Sequence, residues 1–230
     1  MKGFAPSKFF PPVEMADEDG LLAVGGELGT AWLLDAYAHG IFPWPILDGL
    51  LAWWSPDPRA VIELDQLHVS RRLARTVRSG RFAVTCDQDF RGVILGCATV
   101  GDRLGHTWLT DDMQEAYYKL HELGIAHSIE VWQEGRLAGG IYGVALGGAF
   151  SGESMFYLVR DASKVALVHL VAHLAARGFE LFDIQQLTPH TMRLGATAMP
   201  RRLFLNRLAK ALRSPANFGD RLEPFCHPNS

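Results

Sequence analysis

Two short segments carry the residues best suited to chemistry. Phe182-Asp183-Ile184-Gln185-Gln186-Leu187 and Ser151-Gly152-Glu153-Ser154-Met155-Phe156 are largely apolar and strand-like, yet they contain Asp183, Gln185 and Glu153. On a strand, residues two apart share a face, so Asp183 and Gln185 are expected to point the same way. A carboxylate and an amide in a half-buried sheet are costly unless they are hydrogen-bonded. The pattern reads either as a polar site built into a core or as a network that only fixes strand register. Chemically, a side-chain amide orients a nucleophile but does not take its proton, whereas a carboxylate does both.

Other constellations are weaker. His121 and His127 superficially suggest a zincin helix, but they are six residues apart rather than four, and Gly124 is expected to end the helix between them. His169 and His173 have helical spacing without an evident third ligand. No metal and no cofactor are expected. Gly25-Gly26-Glu27-Leu28-Gly29 is not a dinucleotide loop, and no GxSxG serine elbow is present.

Arg71, Arg72, Arg75, Arg78 and Arg81 place five arginines within eleven residues, around a helix whose apolar positions are Leu73 and Val77. In a chain of net charge −3 this is a local positive surface suited to phosphate oxygens. A second group, Arg201, Arg202, Arg207, Lys210 and Arg213, is more diffuse. Trp44, Trp53, Trp54, Trp108 and Tyr117 read as lying on or beside loops, where they would pack or, as a set, stack a nucleobase.

The elements that must position these residues follow from caps, turns and periodicity. Seven of the twelve prolines fall before residue 60, around a short helix with Thr30 as its expected N-cap and Gly40 at its end. This texture predicts a small N-terminal domain, 1–59, ahead of a larger one, 60–230. In the larger part, strands are expected at Ala60–Glu63, Phe82–Cys86, Ser128–Trp132, Leu137–Val144, Ala149–Phe156 and Phe179–Gln185. Helices are expected at Ser70–Arg78, Asp89–Ala98, Asp111–Leu123, Ser163–Arg177 and Arg201–Leu212. The hairpin signal at Glu134-Gly135 and one helical crossover before the last strand predict an α/β (α+β) fold with a mixed, largely antiparallel sheet.

The 230 residues are 48% hydrophobic, enough for a real core. Cys86, Cys97 and Cys226 form no paired framework, which suits a reducing compartment. No apolar run reaches the ~18 residues of a membrane span. A cytoplasmic protein is the resulting expectation.

Several motifs, in order, resemble the leucyl/phenylalanyl-tRNA–protein transferases. They are Gly40-Ile41-Phe42-Pro43-Trp44, Trp53-Trp54-Ser55-Pro56-Asp57-Pro58-Arg59, Thr107-Trp108, Glu115-Ala116-Tyr117, His127-Ser128-Ile129-Glu130-Val131-Trp132, the Glu153 segment, Ala162-Ser163-Lys164 and Asp183-Ile184-Gln185. The likeness runs from about Gly20 to Leu212. It implies a small N-terminal domain before an N-acetyltransferase-like domain, and a monomeric enzyme. It also implies the reaction: leucine or phenylalanine, less readily methionine, moves from aminoacyl-tRNA to the N-terminal Arg or Lys of an acceptor protein. The product is an N-degron read by regulated proteolysis.

By the same resemblance Gln185 orients the attacking amine, and Asp183 polarises Gln185 or takes the proton. Glu153 holds either the donor's amino group or the acceptor's cation. Ile141, Phe150 and Leu170 wall the side-chain pocket, Trp44, Trp108 and Tyr117 grip the terminal adenosine, and the arginine cluster from Arg71 to Arg81 holds tRNA phosphates. The rivals are an acyl-CoA-dependent N-acetyltransferase and a non-catalytic RNA-binding module. The first lacks its usual glycine-rich cradle, since Tyr157–Lys164 contains no glycine. The second leaves Asp183, Gln185 and Glu153 without a task.

Overall fold

The computed structural model of the protein describes residues 5–45, 50–101 and 107–224; Cys226 lies outside them. The proline-rich start folds into strand β1 (Leu21–Val24), helix α1 (Thr30–Ala38) and strands β2 (Phe42–Pro43) and β3 (Ala52–Trp54). The three strands form an antiparallel sheet with β3 in the middle. Thr30 is the first helical residue rather than the cap, which is Gly29. Trp53 and Trp54 therefore belong to a strand, correcting the expectation that they flank loops. Trp53 is fully buried, and its indole N–H donates to the Gly25 carbonyl at 2.9 Å, so it offers no face to a ligand.

The rest of the chain supplies strands β4 (Arg59–Ile62), β5 (Ala83–Cys86), β6 (Ala126–Gln133), β7 (Arg136–Leu146), β8 (Ala149–Tyr157), β9 (Leu181–Gln185) and β10 (Thr197–Met199). Their order across a seven-stranded sheet is β10-β4-β9-β8-β7-β6-β5. Between them run helices α2 (Arg71–Arg78), α3 (Phe90–Thr99), α4 (Asp111–Glu122), α5 (Ala162–Ala176), α6 (Pro189–Met192) and α7 (Arg201–Ala211).

Local chemistry explains these boundaries. Ser70, Asp89 and Thr110 each accept a backbone N–H at the start of α2, α3 and α4, relieving one of the unpaired first-turn donors. Glu134 and Gly135 both take positive φ, 52° and 71°, the geometry of a tight hairpin turn between β6 and β7. Among the described residues only β8 and β9 pair in parallel, and α5 provides the crossover that such a pair requires. The sheet is thus mixed and largely antiparallel.

Alternate residues of the sheet feed two hydrophobic clusters. Leu181, Tyr142 and Phe156 face one cluster, which also takes in Tyr117 from α4 and Phe10, Leu33, Trp53 and Phe204 from the two ends of the chain. Phe182, Ile141 and Phe150 face the other, built on α5. Past α7 the chain returns over α5. There the fully buried His173 donates from Nε2 to the Phe218 carbonyl and accepts the Glu223 N–H at Nδ1.

Candidate active site

The site forms where β8 and β9 part. Their parallel pairing ends at Ser151↔Asp183. Two residues further along each strand, side chains take over: the Gln185 Nε2 donates to Glu153 Oε1 at 3.0 Å. Both strands are irregular here. Glu153 is the extra residue where β7 and β8 shift register between Tyr142↔Ser154 and Gly143↔Gly152. Ile184 is the extra residue where β4 and β9 shift between Val61↔Asp183 and Ala60↔Gln185. Gln185 itself has φ +58°, a left-handed conformation rare for a side-chain-bearing residue. Bulges of this kind re-aim side chains, and here they bring the amide and the carboxylate together.

Asp183 is held differently. Its carboxylate receives Arg59 bidentately, Nε to Oδ1 at 2.8 Å and Nη2 to Oδ2 at 2.7 Å, and Oδ1 also accepts the Gln185 backbone N–H at 3.0 Å. Arg59 is 1% exposed. Its guanidinium lies between the rings of Phe42 and Phe204, at 4.8 and 4.7 Å, and donates to the Gly40 carbonyl at 3.1 Å. Fork-to-carboxylate pairing and two aromatic faces satisfy a charge that would otherwise be prohibitive to bury. Asp183 therefore fixes the backbone of Gln185, while the partner of the Gln185 amide is Glu153.

On its second oxygen Glu153 accepts the Tyr117 hydroxyl at 2.9 Å, and the Tyr37 and Tyr117 hydroxyls lie 2.8 Å apart. With the Tyr117 proton directed at the carboxylate, Tyr37 donates to Tyr117. Burial pushes the Glu153 carboxyl up to about 7, with Asp183 adding to the rise and Tyr117, Tyr37 and Arg59 opposing it. The same burial, together with the Glu153 charge, raises both tyrosines well above their ordinary value.

Beside this pair opens a cavity of about 210 Å³. Ile62, Ile141, Met155, Leu167, Phe182 and Leu194 form its apolar wall, and Phe42 and Trp44 stand at one side. Glu153, Gln185, Ser154, Thr188 and Thr191 supply the polar part. A cavity of ~150 Å³ lined by Leu, Ile and Phe binds benzene, so this one has room for a branched or aromatic side chain. Trp44 is 42% exposed and stacks on Trp108, with ring centroids 4.6 Å apart.

Of the residues expected at the site, Gln185, Glu153, Ile141 and Trp44 line the cavity, and Trp108 backs Trp44. Tyr117 lies within α4 rather than beside a loop; it is 1% exposed and reaches the site only through its hydroxyl. Phe150 and Leu170 form a second layer: Phe150 packs on the lining residue Phe182 with centroids 5.8 Å apart, and Leu170 is buried in the same cluster. Met155 and Phe182 lie inside the two segments that drew attention by sequence, but nothing in the sequence ranked them above other buried apolar residues. Leu167 precedes the expected Leu170 by three residues on the same helix, so a helical wheel could have offered it. Arg59 and Tyr37 carry no local signal, because their partners are 124 and 80 residues away.

The basic groups divide. On α2, Arg72 donates from Nη2 to both Asp161 oxygens, Arg78 donates to the Ala74 carbonyl, and Arg71, Arg75 and Arg78 make no ion pair among the described residues; Arg81, beyond the end of the helix, covers Phe82 at 4.9 Å. On α7, Arg207 forks to Glu63, Lys210 pairs with Glu180, and Arg201 binds the Ser55 carbonyl and, through its N–H, Asp57. This second group tethers the last helix.

Comparison with known proteins agrees along almost the whole chain. Residues 61–209 match the family described as leucyl/phenylalanyl-tRNA protein transferase, and residues 26–57 match its N-terminal domain. A leucyl/phenylalanyl-tRNA–protein transferase of Aromatoleum aromaticum is 55% identical over 202 residues, 87% of this chain and 85% of that one. The same comparison with the Chromohalobacter salexigens enzyme gives 52% over 210 residues, 90% and 82% of the two chains. Among solved structures, a GCN5-related N-acetyltransferase-like protein from Streptococcus suis is similar over 74% of this chain and 65% of its own, at 13% identity and a TM-score of 0.35. The mixed sheet rests on the strand pairing described above rather than on that likeness.

Proposed function

This chain belongs to the leucyl/phenylalanyl-tRNA–protein transferase family, whose members move an aminoacyl group from tRNA to protein, and we propose how its own residues carry that reaction out. The donor is leucine or phenylalanine, less readily methionine, esterified to tRNA. The acceptor is a protein beginning with Arg or Lys, and the product is an N-degron. The observation that carries this reading is the Gln185–Glu153 pair at the wall of an apolar cavity sized for such side chains.

The acceptor's α-amine has an ordinary pKa of ~7.7–8.0, so a useful fraction is neutral near pH 7. The Gln185 Oε1, left over once Nε2 is given to Glu153, accepts an N–H of that amine and aims its lone pair at the ester carbonyl. The nitrogen bonds to the carbonyl carbon, and the ester C–O bond to the ribose breaks. Glu153, poised near neutrality, takes the amine proton and returns it to the departing ribose oxygen. Asp183, locked in a buried bidentate pair with the Arg59 guanidinium, sets the Gln185 backbone and takes no proton. The apolar wall selects the donor, since each buried CH₂ is worth ~0.8 kcal/mol and a charged side chain would be stripped of water there. Trp44, braced by Trp108, stacks the terminal adenine.

The test is transfer of labelled phenylalanine from phenylalanyl-tRNA to two peptides differing only in a first residue of Arg or Ala. Labelling confined to the Arg peptide is expected. Equal labelling of both peptides removes the acceptor rule, and labelling of neither removes the transfer reading.

A further inference from the structure

A second cavity, of about 630 Å³, lies against the first. Met155 lines both, and α6 divides them, with Thr188 and Thr191 turned to the apolar cavity and His190 to the second. Their chemistry differs sharply. The second cavity gathers Arg72 from α2, Arg160 from the β8–α5 connection, Lys164 from the first turn of α5, and His190. Among the described residues that line it, Asp161 is the only carboxylate, and it is already engaged by Arg72 at 2.7 Å and Lys164 at 3.7 Å.

Three observations show a site short of an anion. Arg160 makes no hydrogen bond or ion pair among the described residues. Ser163, 5% exposed, lines the cavity with its hydroxyl lacking any hydrogen-bond partner among the described residues. Helix α5 begins there without a side-chain cap, because Asp161, its N-cap residue, turns its carboxylate to Arg72. The local potential is positive enough to be felt by His190, whose pKa is held below its ordinary value by burial and then by Lys164 and Arg193.

Resting on the transfer reading of the neighbouring cavity, we infer that this second cavity holds the phosphodiester backbone of the donor tRNA's single-stranded 3′ end, with Arg160, Lys164 and the Ser163 hydroxyl as its ligands. The position fits the chemistry. A nucleotide strand whose last sugar presents its ester beside Gln185 must carry its preceding phosphates away from the apolar cavity. Met155 and α6 border both cavities, so the second one lies next to that ester, with Arg72 of α2 among its lining residues. Contacts of this kind hold the backbone in register without reading bases.

The test is a binding cycle on the full chain and its Arg160→Gln/Lys164→Gln variant. The probes are the trinucleotide CCA and an analogue whose two internal phosphodiesters are neutral methylphosphonates. The substitutions are expected to weaken CCA about tenfold while the two proteins bind the neutral analogue alike. The dependence of log affinity on log salt for CCA should fall by about 1.4, at ~0.7 per single-strand phosphate lost. Equal weakening of both probes, or of neither, overturns the inference. So does tighter binding of coenzyme A than of CCA that vanishes in the same variant, which would mark a pyrophosphate site instead. Transfer from phenylalanyl-adenosine, a donor without phosphates, to an Arg peptide by the unsubstituted chain separates the two claims: its failure strikes the transfer reading and leaves the phosphate result to be judged alone.

Discussion

At the scale of single residues, Glu153 is the group whose environment does most. A carboxyl raised to about 7 beside a neutral amide changes charge across the working range. Its sign is fixed by linkage. Because the folded chain binds this proton more tightly than an unfolded carboxyl does, the site weakens the fold as pH rises from about 4.5 to about 7, and no further above that. Glu153→Gln should therefore gain stability relative to the unsubstituted chain between pH 5 and pH 8, by on the order of 2 kcal/mol, checked by urea unfolding at both values. The same variant should lose turnover by about 10²-fold and lose the limb of the pH–rate profile near 7, keeping only the rise that belongs to the acceptor amine. An unaltered profile would assign proton transfer elsewhere.

Residue identities at the site were legible by sequence, since Asp183, Gln185 and Glu153 are conspicuous in apolar strands. Their pairing was not. Simple alternation does put Asp183 and Gln185 towards one polar cluster, but two register shifts and a left-handed Gln185 decide which group bonds which. A bulge costs one residue and leaves no composition signal.

At the scale of elements, helices announced by caps and strands bounded by turns matched expectation closely, because those signals are local. Ser70 on α2 and Glu134-Gly135 between β6 and β7 behave as their sequence implies. The three-stranded sheet was missed for the opposite reason. Its strands are two to four residues long, one contains Pro43, and the β1–β3 pairing joins residues about 30 apart. Element β10 and the short α6 are equally brief. On α2 the arginines divide by partner, so the tRNA-facing role proposed for the cluster falls first on Arg71 and Arg75. Replacing both by Ala should reduce the salt slope of tRNA affinity by about 1–2, at ~0.7–0.9 per phosphate contact. Filter binding at graded salt checks this, and an unchanged slope would leave α2 as an ordinary solvated face.

At the scale of the whole molecule, Arg59 is where distant parts of the chain meet. It joins the start of β4 to Asp183 on β9, to the Gly40 carbonyl after α1, and to aromatic rings on β2 and α7. Gly40 can serve there because φ is +71° and an added Cβ would press on Leu205 and Phe204 at 2.8 and 3.0 Å. Arg59→Met strands a buried carboxylate and should cost about 3–5 kcal/mol in unfolding free energy, whereas Arg59→Met combined with Asp183→Asn should recover part of that loss. Full additivity of the two changes would mean that the pair is not coupled as the geometry indicates. Such long-range convergence is what a single sequence hides most completely: the run Trp53 to Arg59 was visible as a motif, while the reason for its arginine lay across the fold.

The most direct measurement of the central claim is single-turnover transfer of phenylalanine from saturating phenylalanyl-tRNA to an Arg-initiated peptide by the unsubstituted chain and by Gln185→Ala. The account predicts a rate about 10²-fold lower in the variant with the donor Kd unchanged, because Gln185 orients the amine without holding the tRNA. A variant that transfers at the parental rate, or that loses rate only in proportion to donor affinity, would contradict it.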